Sequence, residues 1–146
     1  MAGAVTVCID TNVLLGFFNA EPDKVESCNA FFQLLFTRRI KAVVATITLL
    51  ELAAILTGAG QYAEAERIIS SIQSLPNFSV AEFQTKWVLP TAALKKANRL
   101  AMADAIIVST AIETRCTHLI TFDADFRSIE EIPVLTPHAF LEQHSA

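Results

Sequence analysis

The sequence predicts an α/β protein, a three-layer sandwich in which a parallel sheet of four or five strands lies between helices on both faces. Three observations carry this. Short β-branched runs alternate with longer helical stretches from one end to the other. The runs are mostly apolar, as strands covered on both faces should be. No internal repeat, low-complexity tract or Pro/Gly-rich linker divides the 146 residues, about one domain's worth, so residues 1–146 read as a single domain.

The elements follow in order. Ala4 to Asp10 (AVTVCID) is the first strand. Glu21-Pro22-Asp23 opens a helix to about Thr37, with Val25, Cys28, Phe31, Phe32, Leu35 and Phe36 on one side; residues 11–20 are assigned to no element. Lys41 to Ala45 is the second strand. Thr46 or Thr48 caps a helix running to Gly58, and Gly60 starts the linker to a helix at Tyr62 to Leu75. Pro76-Asn77 ends that helix, and Phe78 to Val80 is a short third strand. Glu82 to Asn98 reads as helical, with Pro90 kinking or restarting it. Met102 to Thr114 is a further helix, His118 to Thr121 a strand, Arg127 to Glu131 a short helical turn, and Pro133 to Leu135 the last strand. Thr136-Pro137 caps a final helix with Pro at its first position.

Composition excludes several classes. Hydrophobic residues make up 53% and charged residues 18%, against about a quarter charged in ordinary domains, which rules out disorder. So little charge leaves apolar surface to be covered, and a homodimer is expected, with Phe17, Phe18, Phe31, Phe32 and Phe36 as a candidate partner face. No run approaches the roughly 20 apolar residues of a membrane span, and Asp10 interrupts the N-terminal run that a secretory signal would need. Cys8, Cys28 and Cys116 are scattered, without zinc-ligand spacing, and read as free thiols in a reducing cytoplasm. A net charge of −4 is not that of a protein that holds nucleic acid by bulk electrostatics.

Four acids stand in apolar surroundings: Asp10 in VCIDTNVLL, Glu51 in ITLLELAAIL, Asp104 in AMADAIIVS and Asp123 in LITFDADF. Only Asp123, with Arg127, has a basic residue within four positions, and buried carboxylates need a counter-charge. Asp10 ends a strand, at the sheet's carboxyl edge. The helix from Met102 descends roughly 18 Å, and the strand to Phe122 climbs back close to 20 Å. Asp104 and Asp123 therefore return to the level of Asp10, where open α/β sheets bind ligands. Glu51, in the first turns of its helix, can reach the same edge.

Two carboxylates ~4 Å apart repel by roughly 4 kcal/mol at an effective dielectric of 20. Several converging require protonation or a cation. An oxygen-only set without His or Cys suits a hard ion, Mg²⁺ or Mn²⁺, and such sites commonly act on phosphate esters.

Each acid also has a plainer reading. Asp10-Thr-Asn could be a turn, which explains none of the other acids. Thr48-Leu-Leu-Glu51 fits a capping box. Asp104 could complement its helix dipole. Asp125 reads as the cap of the following short helix, leaving Asp123 as the ligand. The basic groups Arg38, Arg39 and Lys41, and Lys95, Lys96 and Arg99, are either phosphate contacts or ordinary solvated surface.

The runs IDTNVLL, a Glu opening the helix after the second strand, DAIIVSTA, LITFDADF and the terminal VLTPHAFL together resemble the PIN-domain ribonucleases, and most of all the small VapC-like toxins. The likeness covers nearly the whole chain. It implies a parallel five-stranded sheet with helices on both faces, and cleavage of RNA phosphodiesters by water with Mg²⁺ or Mn²⁺. Asp10, Glu51, Asp104 and Asp123 would be the acidic cluster, with Thr11, Asn12 and Thr121 at its polar supporting positions. A protein antitoxin is the partner the resemblance implies. The chain departs from many relatives in having Ala101 and Ala103 where a Ser or Thr precedes the third acid. Two other classes remain: a catalytically silent module that binds an antitoxin or another protein, and a phosphoryl-accepting domain, which would want a Lys near the final strands where none follows Lys96.

Overall fold

Residues 4–144 are described by a computed structural model. Strand β1 (Thr6–Ile9) runs through the middle of a five-stranded sheet, flanked by β2 (Lys41–Ala45) and β4 (His118–Ile120). Beyond these lie β3 (Phe78–Ala81) and β5 (Val134–Leu135), giving the order β3-β2-β1-β4-β5 with every pairing parallel. Parallel pairing demands crossovers, and helices supply three of them: α1 (Thr11–Phe18) and α2 (Val25–Phe36) lead to β2, α3 (Thr46–Gly58) and α4 (Tyr62–Ser74) to β3, and α5 (Val88–Asn98) and α6 (Met102–Glu113) to β4. A 3₁₀ turn lies between β4 and β5, and α7 (Pro137–His144) follows β5.

Alternation along the strands explains the three layers. Val7, Ile9, Ala42, Val44 and Ile120 enter one core with Phe31, Phe32, Leu52, Ile68 and Phe140. Cys8 and Leu119 point the other way, to Ala105, Ile107, Val108, Ala111 and Phe126. A sheet apolar on both faces leaves polar groups only at its ends, so the carboxyl edge is where ionisable side chains can gather. No described helix is long and apolar enough to cross a membrane, and all three cysteines are free.

Several local expectations are corrected. Residues 11–20 hold α1, capped by Asp10. Thr11, Val13, Leu14, Leu15 and Gly16 are all buried, so this short helix shows no amphipathic stripe to read. Gly16 is where α2 comes close: a Cβ there would meet Cys28 Sγ at 2.8 Å. The second helix begins at Val25, not Glu21. Pro90 neither kinks nor interrupts α5. Residues 82–84 are non-helical, Thr85–Trp87 is a 3₁₀ turn, and Pro90 falls in the first turn of α5, where its missing N–H has no helical partner to lose. Arg127 to Glu131 is not helical; the turn there is a 3₁₀ segment at Ala124–Phe126. At the C-terminus, Thr136 Oγ1 accepts from Ala139 N at 3.1 Å, the expected cap.

Neither Thr46 nor Thr48 caps α3. Strand β2 passes directly into the helix, with Ala45 at the cap position, and Thr46 Oγ1 donates instead to Ala81 O at 3.2 Å. Thr48 lies inside the helix, fully buried, and among the described residues its Oγ1 has no hydrogen-bond partner. An unpaired buried hydroxyl costs stability, so Thr48→Val, of nearly the same shape, is expected to stabilise the fold by about 1 kcal/mol. A higher urea midpoint at unchanged m-value is the measurement.

The phenylalanine cluster is core more than surface. Phe31 and Phe32 are fully buried, and Phe17 stacks on Phe32 with ring centroids 4.1 Å apart. Only Phe36, 42% exposed, is left substantially open to a partner.

Candidate active site

The carboxyl edge of the sheet opens into a cleft of about 170 Å³ lined by Asp10, Thr11, Asn12, Leu15, Glu51, Ile55, Asp104 and Asp123. All four acids singled out in the sequence therefore face one space. They reach it from four segments: the end of β1, the middle of α3, the first turn of α6 and the loop after β4.

Asp10 is the most fixed. Its amide continues the strand, donating to Ile120 O at 3.0 Å, while its carbonyl already belongs to α1, accepting from Val13 N at 3.2 Å and Leu14 N at 3.3 Å. Its side chain then caps α1, with Oδ1 accepting from Thr11 N at 2.8 Å. Oδ2 accepts from Thr121 Oγ1 at 2.7 Å and from Asn12 Nδ2 at 3.4 Å. Burial pushes the Asp10 carboxyl up, the Thr121 and Thr11 hydrogen bonds pull it down, and Glu51 and Asp123 push it up again; the outcome is upward.

Thr11, Asn12 and Thr121 form the frame around it. Asn12 Oδ1 accepts from Phe122 N at 3.1 Å and its Nδ2 donates to Thr121 Oγ1 at 3.3 Å, tying α1 to the end of β4. Thr121 Oγ1 also accepts from Asp123 N at 3.0 Å. Thr11 Oγ1 donates to Glu51 Oε1 at 2.9 Å. Glu51 sits well past the start of α3 and beyond reach of a cap, so the capping-box reading fails and its carboxylate points into the cleft. Asp123, rather than Asp125, caps the 3₁₀ turn, with Oδ1 accepting from Asp125 N at 2.9 Å.

Asp104 differs from the rest. It is half-buried and accepts no hydrogen bond among the described residues. Burial, then the charges of Asp10, Asp123 and Asp125, push its carboxyl up to about 6. Among the described residues no three acidic, His or Cys side chains are drawn tightly enough to grip an ion as they stand. The donor set is nonetheless oxygen-only, converging, and without a Lys or Arg in its lining.

Leu15 and Ile55 were not foreseen. Each stands four residues after a cleft residue, Thr11 and Glu51, so it shares that residue's helix face one turn on. The spacing was readable for Ile55; for Leu15 it needed α1, which the sequence did not reveal.

The sequence matches the PIN domain over residues 7–132, and the chain belongs to that family. Solved structures share its fold. VapBC2 from Rickettsia felis, bound to a DNA fragment from its promoter, superposes with a TM-score of 0.72 at 18% identity, covering 89% of this chain and 97% of that one. A toxin–antitoxin complex from Klebsiella pneumoniae gives 0.67 at 26% identity, with 90% and 97% covered. VapC20 from Mycobacterium tuberculosis, a toxin that cleaves the sarcin–ricin loop, gives 0.68 at 14% identity, with 87% and 98% covered. No curated protein sequence matches the chain.

Proposed function

We propose that this PIN domain is a metal-dependent endoribonuclease, a VapC-like toxin that hydrolyses RNA phosphodiester bonds with Mg²⁺ or Mn²⁺ and is held in check by a protein antitoxin. The observation that carries the reading is the convergence of Asp10, Glu51, Asp104 and Asp123 on one cleft with no basic residue among them. The toxin–antitoxin complexes among its structural neighbours support the antitoxin. The low charge content and the exposed apolar residues Leu50, Ile55, Tyr62 and Leu89 support a homodimer. A cytoplasmic location accords with the three free cysteines.

The residues fit a hard dication in chemistry. Asp10, Asp104 and Asp123 would hold it, with Glu51 at its edge. Such an ion polarises a phosphoryl oxygen and lowers the pKa of water. The chain's own groups do the rest. Asp10 is locked by Thr121, Thr11 and Asn12, so it need not reorganise. Asp104 accepts no hydrogen bond among the described residues, so its carboxylate oxygens are free to bind the ion. Leu15 and Ile55 form the apolar wall of the cleft.

The direct test is incubation of the purified chain with labelled RNA in Mn²⁺, Mg²⁺ or chelator. Cleavage in the metal lanes alone is expected; none in any lane would favour the silent interaction module. A second test concerns the frame. Thr121→Val removes the shortest hydrogen bond to Asp10, and a loss of about 10- to 100-fold in cleavage is expected. That bond is the largest influence lowering the Asp10 pKa, so the acid limb of the pH–rate profile should also move to higher pH.

A further inference from the structure

A second hollow, of about 320 Å³, adjoins the acidic cleft and shares Asp104 with it; Arg99, Leu100, Ala101 and Asp125 complete its lining. Arg99 is the one basic residue lining either space. Its side chain is exposed and makes no ion pair among the described residues. No cation figures among the influences on Asp104, so the guanidinium is not spent on that carboxylate.

The position of Arg99 is nevertheless well defined. It closes α5 in the left-handed region at φ 54°. Leu100, buried next to it, donates its N–H to Lys95 O at 3.1 Å, and Asn98 Nδ2 donates to Leu94 O at 3.3 Å and to Glu131 Oε1 at 3.2 Å. The other basic candidates, Lys96 among them, line neither this hollow nor the acidic cleft. Arg38, Arg39 and Lys41 lie at the amino end of β2, the opposite edge of the sheet. Lys95 lines a separate apolar groove with Phe83, Val88 and Met102.

An RNA strand entering a cleft of carboxylates brings more than one phosphate. With a dication at the reacting phosphate, a neighbouring phosphate in the adjoining hollow would face the carboxylates of Asp104 and Asp125, and Arg99 is the group in that lining that would compensate it. A guanidinium matches two phosphate oxygens with paired N–H donors and keeps its charge at any working pH. We propose that Arg99 binds the RNA phosphate next to the one cleaved, from the hollow that adjoins Asp104. The inference rests on the ribonuclease reading, and deepens it by assigning where the flanking nucleotide lies.

The test uses the full chain as wild type, Arg99→Ala and Arg99→Lys. Cleavage of a fluorogenic RNA is followed in Mn²⁺ over a range of salt, and binding of an RNA oligonucleotide is followed in chelator. In Arg99→Ala, KM should rise about tenfold with kcat within about twofold, and the log–log salt slope of kcat/KM should fall by about 0.7, the value of one single-strand phosphate contact. Arg99→Lys should recover part of the loss. A purely structural role would lower the melting temperature and leave the salt slope alone. If wild type cleaves and Arg99→Ala matches it in KM and slope, the phosphate site is overturned and the ribonuclease reading stands. If wild type binds RNA through Arg99 but cleaves none in metal, the ribonuclease reading falls, and with it the assignment of Arg99 to the phosphate beside the scissile one; Arg99 is then an RNA contact only. If it neither cleaves nor binds, both fall.

Discussion

Asp10→Asn is expected to abolish RNA cleavage, by about a thousandfold or more, while leaving the protein folded. The loss follows from charge. A neutral amide is a poor donor to a dication, and no neighbouring carboxylate can take the place of a side chain held by Thr11, Asn12 and Thr121. Stability should change little because two effects oppose each other. Removing a buried negative charge beside Glu51 and Asp123 is favourable. Against that, an amide cannot satisfy both sides of the frame: with its oxygen toward Thr121 and Asn12, its NH₂ confronts the Thr11 amide, and one hydrogen bond is lost. Each effect is worth about 1 kcal/mol. Cleavage assays paired with thermal melts check both, and a variant that melts normally yet cuts RNA at the wild-type rate would remove Asp10 from the mechanism.

Asp104→Asn separates the two effects. Its carboxylate accepts no hydrogen bond among the described residues, so nothing is lost on amidation except charge. The same loss of cleavage is expected, now with a gain in metal-free stability at neutral pH.

The contrast between these residues also explains what was legible in the sequence. Asp10, Asp104 and Asp123 could be brought to one level by counting, because helix rise and strand rise are nearly constant and the descent along α6 cancels the climb along β4. The sheet was legible for a related reason: strands buried on both faces are apolar at successive positions, and Val7, Cys8 and Ile9 show it. Helix starts were less legible. Capping is decided by how the chain enters the helix, and Ala45 takes the cap position of α3 because β2 leaves no linker, whatever hydroxyls follow. The 3₁₀ turn after β4 was misread for a similar cause. Asp123 and Asp125 both suit a cap, and only the bond from Asp125 N to Asp123 Oδ1 decides between them. Short α1 was invisible because a helix buried on nearly every side has no polar face.

Divalent metal is expected to raise the melting temperature, and the size of the rise should depend on pH in a direction fixed by Asp104. A ligand that binds only the folded state, at about a hundred times its Kd, adds roughly 2.7 kcal/mol, or about 5–10 °C for a chain of this size. In chelator, the Asp104 carboxyl lies at about 6 in the fold against an ordinary 3.8. Between those values the native state binds more protons than the unfolded chain, so stability falls as pH rises. The contribution is fully present below about pH 4 and lost above about pH 6. Asp104 is only half-buried, and solvent screening reduces its effect to about 1 kcal/mol. Asp10, also shifted upward, acts in the same sense. Metal reverses the slope, because a dication needs the ionised carboxylates and competes with protons for them. The melting shift caused by Mn²⁺ should therefore be large at pH 7.5 and shrink as pH falls through 6. In Asp104→Asn the chelator curve should lose most of its slope and the metal shift should collapse. A metal shift that persists at full size at pH 5, or that survives Asp104→Asn, would place the ion away from this carboxylate and with it the chemistry.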